Sequence, residues 1–345
     1  MGDQVSSSFA ATVSRSTRPG EPSRLGLDFH PLTKRPEVNT HSLDLPRLAL
    51  YHNWVSTQAD GWTRYTLERA GVHYDYINDD DIKAGGLRER YDIILMAHQG
   101  GSSAKRLVHG LARRFGPMPY TRESGFSSHG VIDSSPDITG GIGFGGLSNL
   151  EQFLDGGGTL ILLGSAGRLA TDFGLLQNVG TLTSENINTP GSSLGAKVWR
   201  RDHPIAYGFE DVHPVFRTNR PVYTVAQQYE HWIVVQYGTK EKAEKGKDEN
   251  GGADAVPKEL LIAGLVKGAS ALERKAVVLD VPRHAGGRVL LYSFNPVHRY
   301  LNHAHHNTCT TRSSTGTTCP IRSRRNTRDW RGTEAGESQE PNALR

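Results

Sequence analysis

Hydrophobic and polar positions along this chain fall into two regimes. From residue 46 to residue 163, short apolar runs alternate with amphipathic stretches. Pro46-Arg47-Leu48-Ala49-Leu50-Tyr51-His52 reads as a buried strand, and residues 61–70, with Trp62, Tyr65 and Leu67, read as a helix. A strand over 73–77, an acidic Asp79-Asp80-Asp81 turn, a short helix over 82–90 and a strong strand over 91–96 follow. Residues 98–140 form a long polar excursion with one helix expected over 104–115. A helix over 147–154 then feeds the run Gly157-Gly158-Thr159-Leu160-Ile161-Leu162-Leu163-Gly164-Ser165-Ala166-Gly167. Strands alternating with helices predict a parallel sheet covered on both faces. After Leu176 the pattern changes to successive strand-like segments at 196–199, 222–225, 231–237, 260–266, 276–281 and 288–294. There is no internal repeat.

Outside this body the pattern fades. Residues 1–44 are rich in Pro, Ser and Arg without periodicity and read as a disordered linker or remnant. Residues 240–258 are densely charged and read as a solvated, mobile insertion rather than a binding patch. Residues 308–345 are dominated by Thr, Ser and Arg and are expected to be disordered and out of frame. With synonymous codons freely chosen, one inserted nucleotide after the Asn307 codon turns that tail into Tyr-Val-Tyr-Asn-Ala-Leu-Leu-Asn-Trp, an apolar segment suited to closing the domain. A single domain over 45–307 is the resulting expectation.

Charge and composition exclude several classes. The formal net charge of +4 invites a nucleic-acid reading. Residues 308–345 hold seven Arg against four Asp and Glu, which accounts for +3, while residues 1–44 are neutral with five of each sign. The remainder carries +1, so the charge gives no basic face from which to argue polyanion binding. No run is long enough to span a membrane, and residues 1–24 contain no apolar signal core. Both cysteines, Cys309 and Cys319, lie in the tail, which removes disulfides, thiolate nucleophiles and Cys-type zinc sites from the body.

The candidate chemistry centres on Ser165. An apolar strand, a glycine and a helix start lift this side chain above the carboxyl edge of the sheet. Two readings stand side by side. Ser165 caps the helix beginning at Ala166, or it is a nucleophile with His298, which follows the last strand, as base. Gly141-Ile142-Gly143-Phe144-Gly145-Gly146 fits a dinucleotide fingerprint, but a turn-rich loop rather than a strand precedes it. No His is followed three positions later by Glu, so no zinc-peptidase pair exists. His303, His305 and His306 cluster with His298 at the end of the body and read as solvent-facing or satisfied histidines. No metal and no cofactor are expected.

The order of elements, the elbow at Ser165 and the closing Gly287-Arg288-Val289-Leu290-Leu291-Tyr292-Ser293-Phe294-Asn295-Pro296 resemble the class I glutamine amidotransferase-like fold. The resemblance implies an α/β three-layer sandwich with a mostly parallel, flavodoxin-like central sheet. Active members carry Cys at the elbow and Phe-His-Pro-Glu after the last strand. Here Ser165, Asn295 and Val297 stand at the three triad positions, so the resemblance implies a silent site. More narrowly, Leu48-Ala49-Leu50-Tyr51-His52-Asn53-Trp54, Asp60-Gly61-Trp62-Thr63-Arg64, Thr139-Gly140-Gly141-Ile142-Gly143 and Pro296-Val297-His298-Arg299 resemble the domain following the catalytic domain in bacterial zinc carboxypeptidase-like proteins. That implies an accessory or ligand-binding domain, detached from an exported parent. Its expected partners are the parent's zinc peptidase domain and a small-molecule ligand at the degenerate site. A serine hydrolase using Ser165 and His298 is the alternative.

Overall fold

A computed structural model describes residues 45–100, 104–123, 125–182, 186–207, 209–239 and 260–306. The expectations for residues 1–44, 240–258 and 308–345 lie outside these residues. In chain order the strands are Leu48–Tyr51 (β1), Asp75–Ile77 (β2), Ile93–Met96 (β3), Thr159–Leu163 (β4), Val179–Leu182 (β5), Ser192–Val198 (β6), Val212–Arg217 (β7), Val222–Val225 (β8), Ile233–Tyr237 (β9), Leu261–Gly264 (β10), Ala276–Pro282 (β11) and Arg288–Tyr292 (β12). The α-helices are Gln58–Arg69 (α1), Asp79–Ala84 (α2), Leu87–Arg90 (α3), Lys105–His109 (α4), Gly143–Asp155 (α5) and Arg168–Asp172 (α6).

The twelve strands among the described residues join one sheet. Within it β2-β1-β3-β4-β12 pair in parallel. Counting β12 as the fifth strand of this unit, the order is 2-1-3-4-5, the flavodoxin-like doubly wound arrangement. β1, β3 and β4 are buried along their whole length, as strands covered on both faces must be. Their side chains alternate between two cores. Ala49, Tyr51, Ile94, Met96, Leu160 and Leu162 pack with Ile82 of α2, Leu87 of α3 and Leu150 and Phe153 of α5. Leu48, Leu50, Ile93, Leu95, Ile161 and Leu163 pack on the other side with Leu67 of α1 and with Ile205 and Val297.

The expectation of a mostly parallel sheet holds for the five strands that carry the carboxyl edge. The other seven strands add by antiparallel pairing. A parallel neighbour needs a crossover of a dozen or more residues, and among the described residues after Leu176 the helical segments are all 3₁₀ turns of three to six residues. β11 and β12 instead join through a tight turn, closed by the Arg283 amide donating to the Gly287 carbonyl at 2.7 Å.

Local differences have local causes. The expected helix over 82–90 is two helices, because Gly85 and Gly86 adopt φ of 74° and 60°. α2 starts directly after β2 because Asn78 and Asp81 form a reciprocal capping box. The expected helix over 104–115 shrinks to α4 plus a 3₁₀ turn at Arg113–Phe115. β5 and β7 were not visible in the hydrophobic pattern. Each pairs with a single neighbour, and β7 carries Pro214, which an edge strand tolerates.

Candidate functional site

In an open α/β sheet the chain ends emerging from the parallel strands share one edge, and ligands settle there. In this protein that edge collects His52 and Asn53 after β1, Asn78 after β2, His98 and Gln99 after β3, Ser165 after β4, and Asn295 beyond β12. Most of these polar groups are buried. Buried polar groups require partners, and the partners define what each can do.

Ser165 is only 4% exposed. β4 ends at Leu163, and Gly164 turns the chain with φ +56. A Cβ at Gly164 would meet His98 Nδ1 at 2.8 Å, so glycine is required for both conformation and space. The turn aims Ser165 back at the end of β3. Its amide N–H donates to His98 Nδ1 at 3.2 Å, which places the lone pair on Nδ1 and the ring proton on Nε2. Its hydroxyl donates to the Gln99 carbonyl at 2.5 Å and lies 3.0 Å from His98 Nδ1. A carbonyl can only accept, so the single hydroxyl proton is committed to Gln99. Burial, with Arg220 and His298 adding to it, pushes the His98 imidazole down to about 3. His98 is therefore neutral at any physiological pH.

The helix-cap expectation for Ser165 is corrected by this geometry. The residues Gly164–Gly167 form a 3₁₀ turn without a side-chain cap, and α6 begins after Gly167, also without one. The hydroxyl is turned to the neighbouring strand instead. His298 stands in a 3₁₀ turn at His298–Tyr300, its ring 5.2 Å from that of Phe216. Burial, Arg299 and Arg220 hold its imidazole below the ordinary range. The hydrogen-bond partners of Ser165 among the described residues are His98 and Gln99, not His298. Asn295 accepts from the Val297 amide at 3.2 Å, and its carbonyl accepts from the Asn302 side chain at 3.1 Å. Val297 is buried in the apolar core. Both residues shape the turn after β12.

A second polar group sits at the end of β1. His52 Nε2 lies 2.6 Å from Asp133 Oδ2, and Asn78 donates to the same oxygen at 2.8 Å. The ring of His52 stacks on Tyr76 at 4.1 Å and meets the edge of Trp54 at 4.9 Å. Burial opposes ionisation of Asp133, but the bonds from His52, Asn78 and the Ser134 amide outweigh it and hold the carboxyl low. Nearby, burial pushes Asp60 up to about 6 against the lowering effect of the Tyr76 hydroxyl. The two groups connect along the edge. Asn53 donates to the Gln99 side chain, and Gln99 accepts from Ser165 through its carbonyl. Asp133 lies on the excursion between β3 and β4, which thereby closes over the β1 end.

The reading of the sequence missed His52, His98, Gln99 and Asp133. A usable signal for the first three was position, since each stands within three residues of the end of a predicted parallel strand. Asp133 lies in a loop without periodicity and had no such signal. The C-terminal histidines spread out: His303 packs on His306 at 5.0 Å and His305 faces His213 at 5.4 Å. Among the described residues no group of three or more His, Cys, Asp or Glu is placed to hold a metal ion. No helix among them is long and apolar enough to cross a membrane.

No protein-family profile matches the chain, and no curated protein matches it. Several solved structures do, at low identity. A GMP synthase subunit from Thermoplasma acidophilum has 8% identity and a TM-score of 0.38, over 76% of this chain and 94% of that one. A glutamine amidotransferase from Thermotoga maritima has 9% identity and a TM-score of 0.32, over 74% and 77%. A ThuA-like protein from Parabacteroides merdae has 9% identity and a TM-score of 0.39, over 72% and 78%. The flavodoxin-like strand order is this chain's own property, read from its strand pairing.

Proposed function

We propose that this chain is a non-catalytic domain that binds a small-molecule ligand at the carboxyl edge of its parallel strands, as an accessory to a zinc carboxypeptidase-like parent. The observation that carries the reading is the commitment of the Ser165 hydroxyl to the Gln99 carbonyl. A nucleophilic serine needs a base able to take its proton. His98, the adjacent imidazole, spends Nδ1 on the Ser165 amide and is driven far from a useful basicity by burial. Asn295 and Val297 hold the turn after β12 and offer no proton acceptor of that kind. In this reading the ligand is recognised at the polar edge that runs from His52 to Ser165. The accessory role rests on the four stretches of sequence that resemble the peptidase-associated domain.

A serine hydrolase is the second reading, and the 3.0 Å approach of Ser165 Oγ to His98 favours it over an isolated serine. In that reading His98 stands nearer the base position than His298. A fluorophosphonate probe with mass-spectrometric site mapping, run beside an ammonia-release assay on glutamine, separates the two. The expected result is no adduct on Ser165 and no ammonia above buffer. An adduct on Ser165 that is lost in His98→Ala overturns the non-catalytic reading.

A further inference from the structure

The end of β7 and the loop that follows it hold two guanidinium groups with no carboxylate to answer them among the described residues. Arg217 is 1% exposed, the largest fully buried side chain among the described residues. Its Nη1 donates to the Tyr237 hydroxyl and the Ser293 carbonyl, each at 3.0 Å, and to the Pro221 carbonyl at 3.5 Å. Its Nη2 donates to the Arg220 carbonyl. Every acceptor is neutral, and Nε has no partner. Arg220 is half-buried, its Nε is also enclosed without a partner, and no ion pair reaches it among the described residues. The buried carboxylate of Asp280, by contrast, is held by Arg288 and His203. A buried guanidinium without a counter-ion is unfavourable unless something else supplies the negative charge.

The position of this pair is fixed by two ties. Just before the loop, Arg217 is bound to the Ser293 carbonyl, one residue beyond β12. Just after it, the Tyr223 hydroxyl donates to the Gly164 carbonyl at 3.0 Å, one residue beyond β4. The loop between them therefore crosses the carboxyl ends of β4 and β12, on the side where Ser165, His98 and His298 stand. The electrostatic influence of Arg220 on both imidazoles agrees with that placement. Both rings are kept neutral there, so each retains a ring N–H donor while the Arg220 charge lies beside them. The guanidinium fork matches the paired oxygens of a carboxylate or a phosphate.

We propose that Arg220, backed by the buried charge of Arg217 and with His98 and His298 beside it, binds the oxyanion group of a small molecule, a carboxylate or a phosphate, over the carboxyl ends of β4 and β12. This deepens the ligand-binding reading above and rests on it. Arg217 forms the floor, since its Nη atoms are already spent on the fold, and Arg220 is the residue free to engage the ligand. The pair belongs to the antiparallel half of the sheet, outside the three triad positions.

The test uses the full chain and three probes at matched ionic strength: inorganic phosphate, acetate and sodium chloride. Phosphate or acetate should raise the melting temperature and bind by calorimetry where chloride does not, and whichever binds identifies the anion class. Arg220→Gln should weaken that binding at least tenfold, whereas the exposed Arg201→Gln should leave it unchanged. Should Arg220→Gln fold poorly, phenylglyoxal modification of the unaltered chain gives the same answer, because a bound anion should protect Arg220 from the reagent. No binding of phosphate or acetate, or binding that Arg220→Gln leaves intact, overturns the site. Labelling of Ser165 by fluorophosphonate sinks the non-catalytic reading alone, so the two failures are distinguishable.

Discussion

Replacing Ser165 by Ala and by Asp tests the geometry at the elbow, because the two changes rank differently for a capping and a bridging hydroxyl. Ser165→Ala removes the bond to the Gln99 carbonyl and leaves that buried carbonyl without this donor. A lost buried hydrogen bond with an orphaned partner costs about 1–3 kcal/mol. If Ser165 capped a helix, an introduced carboxylate would accept the helix amides and be tolerated. In the observed geometry it would face the Gln99 carbonyl oxygen and the Nδ1 lone pair of His98, two acceptors, inside a region almost closed to water. An uncompensated buried charge costs roughly 3–5 kcal/mol. Against a typical net stability of about 5–15 kcal/mol, Ser165→Asp should approach the limit of folding. Urea unfolding of the two variants beside the unaltered chain reads this directly, as a fall in midpoint at unchanged slope. Equal midpoints for Ser165→Asp and the unaltered chain would refute the bridging geometry. A stable Ser165→Ala that loses a fluorophosphonate adduct would instead make the hydroxyl a nucleophile.

Two further predictions concern buried carboxylates of opposite character. Asp280 is fully buried, takes two bonds from Arg288 and one from His203, and is held at about 2 by those bonds against the opposing effect of burial. Its stabilisation is therefore present above about pH 4 and is lost as pH falls toward 2, and Asp280→Asn should cost about 2–4 kcal/mol at pH 7 in urea unfolding. A loss below about 1 kcal/mol would mean that the network is not holding the β11–β12 pair. Asp60 behaves in the opposite sense: burial raises its folded value to about 6, so ionising it above that pH works against the fold. Asp60→Asn should raise the melting temperature at pH 8 and change it little at pH 4.5, and the reverse order would contradict the burial of this carboxyl.

The parallel half of the fold was legible because both faces of its strands are buried. Thr159 to Leu163 and Ile93 to Met96 are unbroken buried runs, and such runs between helical stretches allow few arrangements. The antiparallel half was legible only as a row of strands. Its edge members β5 and β7 have one neighbour each and mix polar with apolar positions, so no period marks them. Ser165 was legible as the residue at the top of the elbow, since a glycine after a buried strand forces that turn. Its partner was not. Whether the hydroxyl turns to a helix amide or to the next strand depends on the relative heights at which β3 and β4 end. The sheet register decides this, pairing Met96 with Leu162 and so placing His98 beside Gly164.

The arginine pair shows the same limit from the side of charge. In the sequence, Arg217-Thr218-Asn219-Arg220-Pro221 is an ordinary polar turn, and two arginines in a turn normally stand in water. What makes them informative is that the turn is pressed against the carboxyl edge by its flanking residues, through Ser293 on one side and Gly164 on the other. Solvation is removed by residues that are distant in sequence, and no local pattern records it. Net charge does not record it either, since the body carries only +1 and the two guanidinium groups vanish into that sum. A local deficit of negative charge becomes visible only once the fold shows where the paired acids lie. Asp280 goes to Arg288 and His203, Asp92 to Arg47 and Arg88, and Asp133 to His52. The carboxylates with assigned partners lie elsewhere, and the carboxyl edge at β4 and β12 keeps two positive charges beside a row of neutral donors. A ligand carrying an oxyanion supplies what that arrangement lacks, which is why binding at this edge should respond to the charge of the probe more than to its size.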